Sequence, residues 1–150
     1  MKYLENELLI PFNIPDKYGM WYDINSYNWN KLEGKSLLGQ IGDSEFGELQ
    51  LTKATHSIFN IQIKNNGVYG DIRILDISGG NKINDYLDNN IELVFRNSGL
   101  VSYDDKTKYC ELLDLLGFNA ILKTNDVYDD IIYRKDKLHK IKNNINSYEN

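Results

Sequence analysis

The side chains that could carry chemistry are few: two histidines, one cysteine, and serines scattered along 150 residues. Nucleophilic catalysis needs a hydroxyl or thiol beside a base, with donors nearby for the developing oxyanion. Ser98, between Asn97 and Gly99, and Ser57, next to His56, are the serines that could pair with His56 in this way. A serine beside glycine after a strand is also an ordinary turn, so the pattern is weak. His56 opens an alternating segment after Thr55 and reads first as a hydrogen-bonded structural histidine, with a catalytic role as the alternative. His139 lies in a charged stretch and reads as a solvated helix residue. Asp43, Glu45 and Glu48 could do acid–base work, but an acidic loop is usually just solvated. Neither histidine has ligand partners at metal-site spacing, so no metal is expected. Gly79-Gly80 lacks the spacing of a phosphate-binding loop, so no cofactor is expected either. Cys110 is alone, which excludes an internal disulfide and reads as a buried, inert thiol.

Composition sets the frame for those residues. The chain is one domain in length, with 41% hydrophobic and 12% aromatic residues, enough for a real core. Its formal net charge is −5, and only Arg134 to Lys142 is densely basic, which argues against nucleic acid as a partner. Met1 to Glu7 is charged and the apolar run Leu8 to Pro11 is short, so neither a signal peptide nor a membrane span is expected. The reading is a protein that is soluble and intracellular when made.

The elements that would position these residues follow from periodicity. Pro11 and Pro15 mark an extended entry. Tyr22 to Leu32 reads as a short helix closed by Gly34. Glu48 to Leu51 alternates as a short strand. Ser57 to Lys64 alternates with Ile58, Asn60 and Gln62 on one face and Phe59, Ile61 and Ile63 on the other. Asn65-Asn66-Gly67 is a tight-turn signal, and Val68 to Ile77 returns with Val68, Ile72 and Ile74 on one face. Ser78 is placed to cap a helix from Asn81 to Asp88, ended by Asn89-Asn90. Ile91 to Phe95, Lys108 to Leu116 and Phe118 to Leu122 read as strands, the last two broken at Gly117. From Asp126 onward the pattern turns helical, with an apolar stripe of Ile131, Leu138, Ile141 and Ile145.

The order of these segments resembles the T4-type prohead maturation proteases, phage relatives of herpesvirus assemblin. Tyr18-Gly19-Met20-Trp21-Tyr22-Asp23 stands where the family has an Asn-Gly-Arg-x-Tyr-Pro-like element. Gly39-Gln40-Ile41-Gly42-Asp43-Ser44 stands for Gly-Glu-Leu-x-His-Pro, with Asp43 at the histidine position. Thr55-His56-Ser57-Ile58 matches a Ser-His-x-Ile element, and Gly67-Val68-Tyr69-Gly70-Asp71-Ile72-Arg73-Ile74-Leu75 matches the family hairpin closely. Leu93-Val94-Phe95-Arg96-Asn97 is similar to the nucleophile strand Val-Ser-x-Arg-Gly, with Val94 for the serine and Arg96 retained. Gly117-Phe118-Asn119-Ala120 stands for a Gly-Phe-Asp-hydrophobic stretch. The likeness runs from Gly19 to Leu122.

What the resemblance implies is an α+β fold, a mixed or antiparallel β-barrel with flanking helices over residues 1–125. A helical C-terminal tail would follow over 126–150. It also implies a degenerate enzyme, because Val94 has no nucleophilic atom and an ionised Asp43 is a weak base beside imidazole. Such a pseudoenzyme would act in capsid assembly in the host cytoplasm or stay in the virion. It would bind capsid, scaffold or other virion proteins, with self-association left open. Two alternatives stand beside it. One is an active serine hydrolase with a shifted site, built on Ser98 or Ser57 with His56. The other is a small protein-binding module unrelated to phage heads. The segment Tyr128 to Asn150 is either a solvated terminal helix or a charged helix that docks on a neighbour.

Overall fold

The computed structural model describes residues 3–42, 54–124 and 127–132. Its elements are β1 (Tyr3–Pro11), a single 3-10 turn (Trp29–Leu32), β2 (Leu37–Gln40), β3 (Ala54–Lys64), β4 (Gly67–Ile74), α1 (Ser78–Asp88), β5 (Leu93–Tyr103), β6 (Cys110–Leu122) and α2 (Val127–Ile132). A four-stranded antiparallel sheet runs in the order β1-β4-β3-β2, and β5 and β6 form a separate long ladder.

The β3–β4 hairpin closes through Asn65 and Asn66, with Lys64 opposite Gly67. β4 alternates as its sequence reads, and Val68, Ile72 and Ile74 are all buried. β3 does not. A bulge between Phe59 and Gln62 shifts the register, so Ile58 and Ile61 both face the core, although strict alternation would place them on opposite faces. Asn60 carries the bulge at φ 50, a left-handed conformation that asparagine tolerates. β1 has a matching bulge between Leu4 and Glu7, with Asn6 at φ 53. One side chain on the strand between them serves both: Asp71 accepts from the Asn6 backbone N–H at 2.8 Å and from Asn60 Nδ2 at 2.9 Å.

The expected helix over Tyr22 to Leu32 reduces to the one 3-10 turn. Upstream of it, local side-chain bonds compete with helical ones: Asp23 N–H donates to Ser26 Oγ at 2.9 Å, and Asn25 N–H donates to Asp23 Oδ1 at 2.8 Å. Trp29 and Leu32 still bury themselves in the core. Ser78 is the first residue of α1 and not its cap, which is Ile77. Gly80 lets that first turn lie against strand backbone, since a Cβ there would sit 1.7 Å from the Leu75 carbonyl oxygen. Asn89 and Asn90 end the helix as expected. Gly117 does not break a strand: β6 continues through it with a register shift against β5 beside it, and the missing side chain lets the Leu38 carbonyl of β2 come close.

The α+β barrel with flanking helices and a helical tail is overturned. The described residues are mostly strand, with one helix of three turns, and they form no closed barrel. Closure would need a continuous ladder between β2 and β6, and there the strands instead meet by close approach at Gly39 and Gly117. Ile41 makes one parallel bridge to Ala120, and Gly42 N–H donates to the Ala120 carbonyl at 2.8 Å. A side chain from β3 fills the space beneath Gly39, as described below. In the expected tail, the described helix is Val127–Ile132 alone, and Leu138, Ile141 and Ile145 lie outside the described residues. So do Asp43 and the strand expected over Glu48 to Leu51.

Gly39 has no room for a methyl group: a Cβ would lie 2.0 Å from the Phe118 carbonyl oxygen and 2.2 Å from His56 Nε2. Gly39→Ala is expected to destabilise the protein by about 3 kcal/mol or more in urea unfolding. Gly34→Ala, where nothing lies within 4 Å and only the φ of +75 resists, should cost about 1 kcal/mol.

Candidate functional site

His56 sits in β3 opposite Gly39 and is fully buried. Its ring passes under the glycine and reaches the second ladder, with Nε2 2.6 Å from the Phe118 carbonyl oxygen. A carbonyl only accepts, so Nε2 carries the proton and Nδ1 is left to accept from the Thr55 hydroxyl, 2.7 Å away. The Phe95 ring packs edge-on against the imidazole at 4.9 Å between centroids. Burial disfavours the charged ring and holds its pKa down to about 4, against a smaller opposing pull from the Phe118 carbonyl. A hydroxyl bonded to an imidazole is the geometry of a nucleophile and its base. Here both partners are buried, Thr55 with 3% of its surface exposed. The other imidazole nitrogen is occupied by backbone.

Val94 and Arg96 lie on β5, and neither is brought to His56. Side chains alternate along a strand, so Phe95 meets the imidazole while Val94 turns to the other face. There Val94 packs with Tyr128 and Ile132 of α2, with Ile14 and Ile121 alongside. Arg96 is on the rim of this cluster. Its Nη2 donates to Asp129 Oδ1, and its guanidinium lies over the Tyr128 ring at 5.2 Å. Asp129 is fully buried, and its second oxygen accepts from Thr124 N–H at 2.7 Å and the Thr124 hydroxyl at 2.8 Å. Burial pulls the Asp129 pKa upward, but the Thr124 N–H, the Arg96 guanidinium and the Thr124 hydroxyl outweigh it and leave it lowered. The carboxylate is a fastener, because every donor it meets favours the ionised form.

Ser98 lies within β5, opposite Gly117, and not beyond the strand. Ser57, next to His56 in sequence, falls on the opposite face of β3 by the same alternation. Both imidazole nitrogens are engaged by Thr55 and Phe118, so neither serine is the histidine's partner. Cys110 is buried near Tyr22, whose hydroxyl accepts from Asn97 Nδ2 at 3.3 Å and is pushed up to about 12 by burial. Asp43 and His139 lie outside the described residues. Thr124, Tyr128 and Asp129 were missed from sequence. The available signal was the i, i+4 pair Tyr128 and Ile132 with an acid between them, which the apolar stripe starting at Ile131 concealed.

An open groove of about 790 Å³ lies over the paired bulges, lined by Glu5, Asn6, Glu33, Asn60, Lys64 and Asp71 among others. His56, Val94, Arg96 and Ser98 are not in its wall. Among the described residues, no group of three His, Cys, Asp or Glu side chains is arranged to hold a metal ion. No described helix is long and apolar enough to cross a membrane.

The open pair of sheets joined at β2 and β6 resembles a fold already solved in a phage capsid-assembly protease. One solved structure with this likeness is the bacteriophage T4 capsid assembly protease, gp21, with a TM-score of 0.61 and 16% sequence identity, covering 81% of this chain and 82% of that one. No family model matches the sequence, and no curated protein matches it.

The histidine makes stability depend on pH in a definite window. In the unfolded chain it takes a proton near pH 6.5, whereas the folded protein resists protonation down to about 4. The unfolded state therefore binds more protons between those values, and stability falls as pH drops through them, by about 3 kcal/mol in full. His56→Gln, which keeps polar atoms but cannot titrate, should flatten urea-unfolding stability between pH 6.5 and 4.

Proposed function

We propose that this chain is a non-catalytic capsid-assembly protein of the prohead-protease kind, which binds capsid or scaffold proteins and cleaves none of them. The observation that carries this reading is the state of the nucleophile position. Val94 offers no attacking atom and is sealed under Tyr128 and Ile132. Loss of the nucleophile typically costs several orders of magnitude in rate. The fold shared with the T4 capsid assembly protease supports the setting, a phage head under assembly in the host cytoplasm. What remains of the enzyme is its shape, and shape suffices to dock.

The shifted-site hydrolase is the weaker reading, because its histidine is buried and both ring nitrogens are committed. An apolar strand where a reactive one is expected favours the pseudoenzyme.

Purified protein incubated with phage capsid and scaffold proteins is expected to leave them intact on gels and to co-sediment with one of them. It should not label with a serine-reactive fluorophosphonate. Cleavage of a scaffold protein, or labelling lost on Ser98→Ala, would overturn the reading. Val94→Ser should also remain unlabelled, and should lower stability by about 1–3 kcal/mol because it buries a hydroxyl in an apolar cluster.

A further inference from the structure

A strand at the edge of a sheet offers a row of unpaired backbone donors and acceptors to any strand that meets it, and proteins usually blunt such edges. Among the described residues, the outer edges of β1, β2 and β6 are blunted. β1 carries two bulges and ends at Pro11. β2 is four residues long, and its free side is taken up by the approach of β6. β6 meets β2 there and carries the extra residues Leu113 and Leu116 at its two register shifts. β5 is different. Its eleven residues pair one after another with β6, with no extra residue between them, and no described strand forms a ladder along its other side. Past Gly99 the strand is open to solvent, with Leu100 57% and Tyr103 47% exposed. From Asn97 to Tyr103 it contains neither a charge nor a proline.

We propose that the outer edge of β5 pairs with the same edge of a second copy of this chain, antiparallel about a two-fold axis at Leu100. Two β5–β6 ladders would then join into one four-stranded sheet. A two-fold interface sets a surface against itself, and a neutral strand suits that arrangement because no like charges face each other. Charges just outside the neutral stretch set the register. Centring on Leu100 places Arg96 opposite Asp104 of the partner subunit. Centring one residue later, on Val101, would place it opposite Lys106 of the partner subunit, a like-charge pair. Arg96 keeps its bond to Asp129, so the Asp104 carboxylate adds attraction at a distance. The interface is small, since a stable complex buries about 800 Å² per partner and a short strand edge falls below that. The pairing is therefore reversible and grows with concentration. It rests on strand geometry and holds whether or not the chain is catalytically inert.

The test is sedimentation of the full-length protein from about 10 μM to about 1 mM, over which the unmodified chain is expected to pass from monomer to dimer. Leu100→Lys sets two like charges face to face on the axis and should weaken dimerisation about tenfold or more. Leu113→Lys makes the same change at an exposed leucine of β6 and should leave dimerisation unchanged. Leu100 is more than half exposed, so its variants should keep the urea-unfolding midpoint of the unmodified protein. Leu100→Cys should form a disulfide between two copies on oxidation, because residues facing each other across an antiparallel pair lie within reach of that bond. Leu113→Cys should not. A monomer at every concentration would overturn the proposal, as would equal loss of dimer in the two lysine variants or cross-linking of Leu113→Cys alone. If the unmodified protein stays monomeric and Leu100→Lys alone stops it co-sedimenting with a scaffold protein, the edge belongs to a foreign strand and the second-copy assignment fails.

Discussion

The contact on which the arrangement depends is the one between the His56 imidazole and the Phe118 carbonyl. The two sheets share no continuous ladder, so something other than backbone pairing must fix β6 beside β2. A neutral ring does this from beneath, and it can do so because residue 39 has no side chain. The same packing favours a neutral ring, since burial disfavours the charged imidazole. Gly117, Phe95 and Thr55 follow from it. One gives β2 room, one covers the ring face, and one supplies the proton that Nδ1 accepts.

Two polar side chains of types common in catalysis, His56 and Arg96, tie elements of this fold together. Thr55 and His56 have the separation of a nucleophile and base, but join one sheet to the other. Arg96, retained from a nucleophile strand in the resemblance, holds α2 through Asp129. A buried pair of that kind contributes little over a well-packed apolar pair, yet removing one partner costs about 3 kcal/mol or more. The polar groove over the bulges lies apart from both ties, because Asp71 arranges it to solve a backbone problem.

The hairpin, the helix after it and the start of β5 were legible from local signals (a two-asparagine turn, period-2 alternation along β4 and a pair of asparagines at the helix end), whereas β5 runs on to Tyr103 in a two-stranded ladder and is no central strand. Elements governed by distant contacts were not. The face assignments in β3 failed because Asn60 takes a left-handed conformation that only Asp71, across the ladder, makes worthwhile. The barrel expectation failed because no periodicity records whether two strands pair or merely touch. At the site, His56 reads from sequence as a hydrogen-bonded structural histidine, but its partner could not be named, since that partner is Phe118, 62 positions away. Asp129 was invisible because an acid in a charged stretch looks solvated until its arginine is located.

The pairing of β1 with β4 also bears on how the chain comes to be folded. Asn6 and Asp71 are 65 positions apart, and among the described residues the first strand pairs in a ladder with β4 alone. The β3–β4 hairpin, with its two-residue loop, can form in microseconds once made. At ribosomal rates of about 5–20 residues per second, β1 waits several seconds for it, with Leu8, Leu9 and Ile10 still bare. That interval is when the nascent strand is most open to wrong pairings, and Pro11 at its end, unable to donate a ladder hydrogen bond, limits how far such a pairing could extend.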